Sequence, residues 1–248
     1  MDDGMEEIVY SDKKLIETLH GLVQDLSVKG RWLDMPSGGG ALARRLKKLS
    51  LKVIEGELHP AGDLSDRIIV RLDMNAPALP FADQSFDGIA CVEGIEHIEN
   101  FFALIRELRR ILKPSGVLFL TTPNMNKLGS RWHTFWTGFP HYLIRPNPES
   151  PEERDPFPHI HMLPFHELRY ALYTQGMRIR AIHTNRIRFN DALFFPFWPL
   201  VALSTWRRLR KERKPNQRLR NREIFHQCLS WKVLFGNILI LVLERDDG

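Results

Sequence analysis

Three consecutive glycines, residues 38–40, separate an apolar strand pattern from an amphipathic helix pattern. The strand pattern covers residues 32–35, and leucines at positions 42, 46 and 49 then recur at helical spacing. Further strand patterns lie at residues 52–58, 68–72, 86–93 and 117–121, and a helix pattern lies at residues 100–112. This alternation predicts an α/β fold in which a parallel sheet is covered by helices. The glycines lie where a strand meets a helix, and they let the backbone approach a ligand closely.

We predict a single domain over residues 1–248 with an insertion before its last strand. Its parts are an N-terminal helix at 1–30, a ligand-binding half at 31–123, a loop, helix and strand at 124–189, an insertion at 190–227 and a last strand at 228–248. Residues 124–158 carry several prolines and no clear period, so we predict a loop there. A helix pattern at residues 165–175 and strand patterns at 177–183 and 238–243 complete the domain.

Composition excludes several classes of protein. The chain is 43% hydrophobic and 26% charged, which is ordinary for a soluble globular protein. Its only two cysteines, Cys91 and Cys228, argue against a disulfide framework and favour a reducing compartment. The first residues are acidic and no apolar run is long enough to span a bilayer, so we expect a cytoplasmic protein, with association to a membrane surface as an alternative.

Three acidic residues at successive strand ends indicate the kind of ligand. Residues 38–43 formally match the dinucleotide pattern G-x-G-x-x-A, but that match alone is weak. Asp34, beside the glycines, would repel a pyrophosphate and favour a ligand that carries an ammonium and a sulfonium, as S-adenosylmethionine does. Glu57 could accept hydrogen bonds from both ribose hydroxyls, and Asp73 from an adenine amino group. The alternative is that each acid merely begins a turn.

Four segments in order carry a resemblance to a known family. They read LDMPSGGGALARRL, VIEGELHP, LDMNAPALPFADQSFDGIACVEGIEHIEN and LRRILKPSGVLFLTTPN, and the resemblance covers about residues 31–122. The chain resembles a class I S-adenosylmethionine-dependent methyltransferase, in the family that includes ubiquinone and menaquinone biosynthetic methyltransferases. The resemblance implies a Rossmann-like sheet of seven strands, mostly parallel, whose final strand is antiparallel. The cofactor contacts that we predict are Asp34, Met35, Pro36, Ser37, Gly38, Gly40, Glu57, Leu58, Asp73, Met74 and Glu93.

The chain departs from the family pattern at three of these positions. Pro36 and Ser37 stand where the family often has glycine and cysteine, and Glu57 replaces the commoner aspartate. Pro36 fixes its own φ and lacks an N–H group, so the turn is stiffer than usual. Pro36 and the long insertion motivate an alternative in which the chain is a membrane-surface or scaffold protein that keeps the fold without catalysis.

The segment after the fourth strand carries the catalytic candidates, Glu96 and His97. Methyl transfer needs an acceptor held in line with the methyl group, and a hydroxyl acceptor also profits from a base. His97 could be that base, since an imidazole titrates near neutral pH. The alternative reading is a structural hydrogen bond that anchors this loop.

A metal site is a second interpretation of the same segment. Glu93, Glu96 and His97 with His161 resemble the metal-binding set of small-RNA 2′-O-methyltransferases and of a ubiquinone O-methyltransferase branch, and His159 is an alternative to His161. Such a set could hold a divalent ion that polarises an acceptor hydroxyl. Otherwise these histidines fix the loop or contact the substrate.

The insertion bears on the acceptor and on partners. Residues 192–206 are apolar and rich in aromatics, and residues 207–222 carry nine basic residues and one acid. Residues 192–222 therefore suit an anionic membrane surface or a lid over a long apolar acceptor, whereas a helical cap with a solvated basic face is the plain alternative. Nucleic acid ranks lower, because phosphate tracking favours basic residues spread along a polar groove. We predict a small-molecule or lipid-linked acceptor methylated at oxygen, and the alternative is a metal-assisted enzyme acting on a polyol, a quinol precursor or an RNA end.

Overall fold

The computed structural model describes residues 12–141, 159–187 and 189–247. The helices are α1 (Lys13–Leu26), α2 (Ala41–Lys48), α3 (Phe101–Ile111), α4 (Leu128–Thr137), α5 (Phe165–Thr174), α6 (Phe189–Ala192), α7 (Trp198–Arg210), α8 (Pro215–Cys228) and α9 (Trp231–Phe235). The strands are β1 (Arg31–Asp34), β2 (Lys52–Glu57), β3 (Ile69–Arg71), β4 (Phe86–Cys91), β5 (Leu112–Pro123), β6 (Met177–Thr184) and β7 (Ile238–Arg245). Short 3-10 helices lie at Ile95–His97 and Phe195–Phe197.

The strands form one seven-stranded sheet in the order β3-β2-β1-β4-β5-β7-β6. Neighbouring strands from β3 to β5 pair in parallel, and β7 runs antiparallel between β5 and β6. The predicted mostly parallel Rossmann-like sheet with an antiparallel final strand is therefore confirmed. Because β1 lies between β2 and β4, Asp34 pairs across the ladders with Glu55 on one side and Ala90 on the other.

Each face of the sheet carries its own apolar core. Trp32 packs with α1 and α2 through residues such as Leu19 and Leu46, whereas its neighbour Leu33 belongs to the core beneath α3 and α5. Both of these adjacent β1 residues are fully buried, as expected for a strand covered on both faces. This double burial fixes the position of Asp34 at the end of the strand.

The structure corrects several predicted boundaries. Residues 124–158 were predicted to be loop, but α4 lies within them, because Leu128 packs into a small core with Leu229, Leu234 and Phe235. Those partners are about a hundred residues away in the sequence, so the hydrophobic periodicity of the segment itself does not predict the helix. Residues 142–158 of the predicted loop lie outside the described residues, as do residues 1–11 of the predicted N-terminal segment.

The remaining differences concern the ends of elements. The first helix ends at Leu26 rather than near Gly30, because Ser27 caps it in the left-handed conformation. The insertion is helical, and a further short helix, α9, precedes the last strand. Among the described residues, no helix has the length and apolar character needed to span a membrane.

Candidate cofactor and acceptor site

The glycine turn connects β1 to α2 and requires glycine at its end. Gly38 and Gly40 have φ values of +49° and +76°, and Gly40 is the N-cap of α2. A Cβ atom on Gly40 would lie 2.8 Å from Glu55 Oε2 and 2.9 Å from Arg67 Nε. A side chain is excluded both by the left-handed backbone and by the ion pair beneath it.

Asp34 lies in a buried position at the start of this turn. Its side chain is 1% exposed, and its Oδ2 atom accepts a hydrogen bond from the Ala43 N–H in the first turn of α2 at 3.0 Å. Burial, together with the nearby Glu55 carboxylate, raises the pKa of Asp34 to about 8. A cationic group placed beside Asp34 would favour the ionised form. Asp34 therefore has a structural role, in which it caps the first turn of α2. Its contact with the cofactor stays a prediction.

Glu57 ends β2 and faces the glycine turn. Its Oε2 atom accepts from the Gly38 N–H at 2.7 Å, and its Oε1 atom accepts from the N–H groups of Leu58 and His59 at 2.8 and 3.1 Å. A carboxylate offers about four acceptor positions, so these three bonds leave room for one more donor. To accept hydrogen bonds from both ribose hydroxyls of the cofactor, as predicted, Glu57 would have to give up or share at least one of these backbone hydrogen bonds.

A buried ion pair that the sequence reasoning missed supports the turn from below. Arg67 Nε lies 2.8 Å from Glu55 Oε2, and its Nη2 atom donates to the Gly38 carbonyl at 2.9 Å. Lys47 Nζ lies 3.4 Å from the other oxygen of Glu55, whose side chain is completely buried. The available signal was an acidic residue within the apolar strand pattern KVIEGEL, which requires a cationic partner.

The other predicted cofactor residues of the turn, Met35, Pro36 and Ser37, lie between the end of β1 and the glycines. The Met35 N–H donates to the Ala90 carbonyl and the Ser37 N–H to the Gly56 carbonyl, so both residues tie the turn to neighbouring strands. The peptide bond between Met35 and Pro36 is cis.

Asp73 lies after β3, exposed to solvent. Its Oδ1 atom accepts from the Asn75 N–H at 2.8 Å, which is the hydrogen bond of a local turn. The alternative reading of this acid as a turn former is therefore observed, and its predicted contact with adenine stays a prediction. Met74, beside it, is half-buried.

The loop after β4 packs directly on the glycine turn. Glu93 has a φ of +47°, and its N–H donates to the Thr121 hydroxyl at 2.9 Å. A Cβ atom on Gly94 would lie 2.5 Å from Pro36 Cδ and 2.9 Å from Met74 Cε. The structure thus brings Pro36, Met74 and the Glu93 loop together at the carboxyl end of the sheet, where open α/β sheets bind ligands.

Glu96, His97 and His159 form the group most suited to chemistry. One possible ligand atom from each lies within 4.8 Å of the others, and the two imidazole rings have centroids 4.8 Å apart. Glu96 is 1% exposed, and among the described residues neither of its carboxylate oxygens has a well-aligned hydrogen-bond donor. Burial, with the Glu93 carboxylate as a smaller cause, raises the pKa of Glu96 to about 8, although the Thr122 hydroxyl offsets part of that rise.

His159 rather than His161 joins this group. The N–H groups of Ile160 and His161 both donate to the Glu96 carbonyl at 3.0 Å, which fixes the segment against the loop. The His161 ring turns away, with Nε2 3.2 Å from the Glu99 carbonyl oxygen and the ring in a T-shaped contact with Phe101 at a centroid distance of 5.6 Å. Of the two histidines left open by the sequence, the structure therefore favours His159.

A second missed set follows β5. The Asn126 side chain accepts from the Phe165 N–H at 2.5 Å, and Asn124 Nδ2 donates to the Gly236 carbonyl at 2.8 Å. Lys127 Nζ lies 3.4 Å from Asp191 Oδ2, and both side chains are buried. These contacts join α4 to α5 and to the insertion beside the candidate site.

Comparisons with known proteins agree with this geometry. A family model described as a methyltransferase domain matches residues 7–182. The ubiquinone biosynthesis O-methyltransferase of Xanthomonas oryzae is 35% identical over 103 residues, which cover 38% of this chain and 43% of that protein. The enzyme of the same name from Cereibacter sphaeroides is 28% identical over 121 residues, 43% of this chain and 49% of that protein. The match thus covers less than half the length of these curated relatives.

Solved structures show the same fold at low sequence identity. A SAM-dependent methyltransferase from Archaeoglobus fulgidus superposes with a TM-score of 0.56 and 16% identity, over 93% of this chain and 94% of that chain. The cyclase SpnF superposes with a TM-score of 0.55 and 18% identity, over 94% of this chain and 82% of that chain. Because a cyclase shares the fold, the fold alone does not define the reaction. On the family match and the architecture, the chain belongs to the methyltransferase-domain family and has the fold of the class I S-adenosylmethionine-dependent methyltransferases.

Proposed function

We propose that this chain transfers the methyl group of S-adenosylmethionine to an oxygen atom of a small-molecule or lipid-linked acceptor. The observation that carries the proposal is the position of the Asp34 carboxyl, which is buried at the end of β1 beside the glycine turn and would ionise against a cationic group of the donor. The names of the matched relatives favour oxygen as the methylated atom. When bound, S-adenosylmethionine supplies a methyl group already activated on a sulfonium.

The residues present fit that cofactor. Asp34 would hold a cationic group of the donor, and the Glu57 carboxylate would orient the sugar while it keeps its bond to the Gly38 N–H. The Gly94 backbone, packed on Pro36, would hold the Glu93 loop at a fixed distance from the glycine turn. Positioning of this kind supplies most of the rate in a displacement that needs only alignment and exclusion of water.

Calorimetry with S-adenosylhomocysteine tests the proposal. We expect saturable binding with one site per chain and no binding of NAD, because the acidic strand ends repel a pyrophosphate. The protein is then incubated with methyl-labelled S-adenosylmethionine and a metabolite extract. Radioactivity in the organic-extractable or the aqueous metabolite fraction would distinguish an active enzyme from a scaffold protein. Binding of NAD in place of S-adenosylhomocysteine would contradict the proposal. So would binding of S-adenosylhomocysteine without methyl transfer to either fraction.

A metal-assisted reaction is a second candidate, and the grouping of Glu96, His97 and His159 favours it. Two imidazoles and a carboxylate suit a divalent transition metal, which would supply Lewis acidity toward an acceptor hydroxyl. Without a metal, the same group supports a different role, in which His97 takes the hydroxyl proton and the resulting imidazolium is stabilised by the neighbouring Glu96 carboxyl, whose ionised form that cation favours.

Manganese binding, measured by electron paramagnetic resonance, distinguishes a metal site from a metal-independent base. For the metal site we expect one ion per chain, with affinity at least about tenfold lower in His159→Ala and Glu96→Gln. His161→Ala is the matched control, because that ring contacts Glu99 and Phe101 instead, and its affinity should equal the wild-type value. Full methyl transfer by protein stripped with EDTA would refute the metal-assisted reaction and leave His97 as the base.

A further inference from the structure

Large exposed apolar side chains are concentrated in two segments, 128–139 and 189–206, which we call the aromatic face. Phe135 is 75% exposed, Phe189 79% and Leu200 64%, and they are joined there by further exposed tryptophan and phenylalanine rings. Monomeric soluble proteins rarely expose apolar patches of such extent without a partner.

The two segments form one continuous and firmly supported surface. The Trp132 ring of α4 lies 6.1 Å from the Phe194 ring and 6.3 Å from the Phe197 ring. Beneath them, Leu128 packs with residues of α9, and the buried Lys127–Asp191 ion pair joins the start of α4 to α6. The exposed rings are therefore held in place by a small buried core and a buried ion pair beneath them.

The charge of the aromatic face has one sign. Residues 128–141 contain no acidic residue, and in residues 189–211 the only acid is Asp191, which is buried in its ion pair. Four basic residues, Arg207, Arg208, Arg210 and Lys211, end α7 at the border of the face. The Arg210 guanidinium lies 4.7 Å from the centre of the Trp206 ring, which places a cation at the aromatic edge.

We propose that the aromatic face docks onto an anionic lipid bilayer, with its rings in the interfacial region and the basic end of α7 on the lipid headgroups. Aromatic and leucine side chains beside arginine and lysine, without exposed carboxylates, are what an interfacial protein presents to anionic lipid. Single-stranded RNA fits less well, since exposed leucines offer no surface on which bases can stack.

The position of this face has a consequence for the acceptor. Helix α4 begins shortly after β5, whose neighbour β4 leads into Glu96 and His97, so the face and the candidate site lie at the same edge of the sheet. Resting on the function proposed above, we infer that a lipid-soluble acceptor enters the site from the membrane.

Sedimentation with sucrose-loaded vesicles tests the docking surface on the full chain. We expect the protein to bind vesicles of phosphatidylcholine with about one third phosphatidylglycerol at least tenfold more strongly than pure phosphatidylcholine. Binding should weaken at least fivefold when the salt concentration is raised from about 0.05 M to about 0.5 M. The combined variant Phe135→Ser with Leu200→Ser should lose at least tenfold in partition coefficient, and so should Arg207→Glu with Arg208→Glu.

Tyr170→Ser is the matched control, because Tyr170 on α5 is as exposed as Leu200, at 64%, but lies outside the aromatic face. It should bind vesicles as the wild type does, and every variant should keep the wild-type affinity for S-adenosylhomocysteine, so that failure of docking is separable from failure of the proposed function. Wild-type protein that does not sediment with anionic vesicles at low salt would overturn the proposal. Two other results would also overturn it. One is a dimer in analytical ultracentrifugation that the Phe135 and Leu200 changes abolish while vesicle binding persists. The other is binding to single-stranded RNA that the same changes abolish while vesicle binding persists.

Discussion

The Asp34→Asn variant is expected to bind S-adenosylmethionine about a hundredfold more weakly than the wild type, a loss of about 2.7 kcal/mol. Asparagine has nearly the same shape and its amide oxygen can still accept the hydrogen bond from the Ala43 N–H, so the change removes mainly the charge. Calorimetry at neutral pH measures the loss. Asp25→Asn, at an exposed position near the end of α1, is the control and should leave the affinity unchanged.

The same variant should be more stable than the wild type at alkaline pH. The pKa of Asp34 is raised from its ordinary value of 3.8 to about 8, so between those values the folded state holds a proton that the unfolded state releases. The contribution of Asp34 to the free energy of unfolding is therefore largest below pH 3.8 and is lost as the pH rises through about 8. Thermal unfolding at about pH 9 should give a Tm several degrees higher for the variant, and the difference should vanish in acid.

Binding of the donor should depend on pH in the opposite sense. A cationic ligand needs the ionised carboxylate, so wild-type affinity should rise as the pH increases from about 6 to about 8, by up to about tenfold per unit. The charged groups around Asp34 are Glu55, Glu57 and Arg67. The Asp34→Asn variant should lack this dependence. A wild-type affinity that is equally flat over that range would show that Asp34 does not contact the donor.

The Arg67→Met variant is expected to lose about 3 kcal/mol of stability and most of its affinity for S-adenosylhomocysteine. The change leaves the buried Glu55 carboxylate with Lys47, at 3.4 Å, as its one remaining cationic partner among the residues that the structure describes. It also removes the hydrogen bond from Arg67 to the Gly38 carbonyl, which holds the glycine turn. Urea denaturation and calorimetry measure the two losses.

A double variant separates the two effects. In Arg67→Met with Glu55→Leu no unpaired carboxylate remains, so most of the lost stability should return. Affinity should stay low, because the Gly38 carbonyl still lacks its donor. Recovery of both properties together would show that the guanidinium acts on the turn only through Glu55. Loss of neither in the single variant would contradict the structural role of the pair.

The sequence was sufficient where local pattern decides the structure. Strand runs and helix periods predicted seven strands, and the glycines at the end of β1 marked the turn, because local backbone preference decides each of these features. Helix α4 was missed because Leu128 is buried by residues of α9, about a hundred positions later. The same holds for Arg67, which lies in the connection before β3, because its partner Glu55 lies on β2 and no neighbouring residue predicts its burial.

The candidate site shows the same division. The acids at strand ends were found because parallel strands present their carboxyl ends at one edge of the sheet. The choice between His159 and His161 depends on how the segment bonds to the Glu96 carbonyl, which is a contact between residues distant in the sequence. Sequence spacing alone could not make that choice.

The place of β7 in the sheet has a consequence for how the chain folds during its synthesis. Among the described strands, β6 pairs only with β7, and β7 lies between β6 and β5. Until residue 245 has left the ribosome, β6 has no partner and one edge of β5 is uncovered. The nascent domain must therefore delay closure until translation of this strand is complete, and during that interval it exposes apolar strand edges that chaperones can bind.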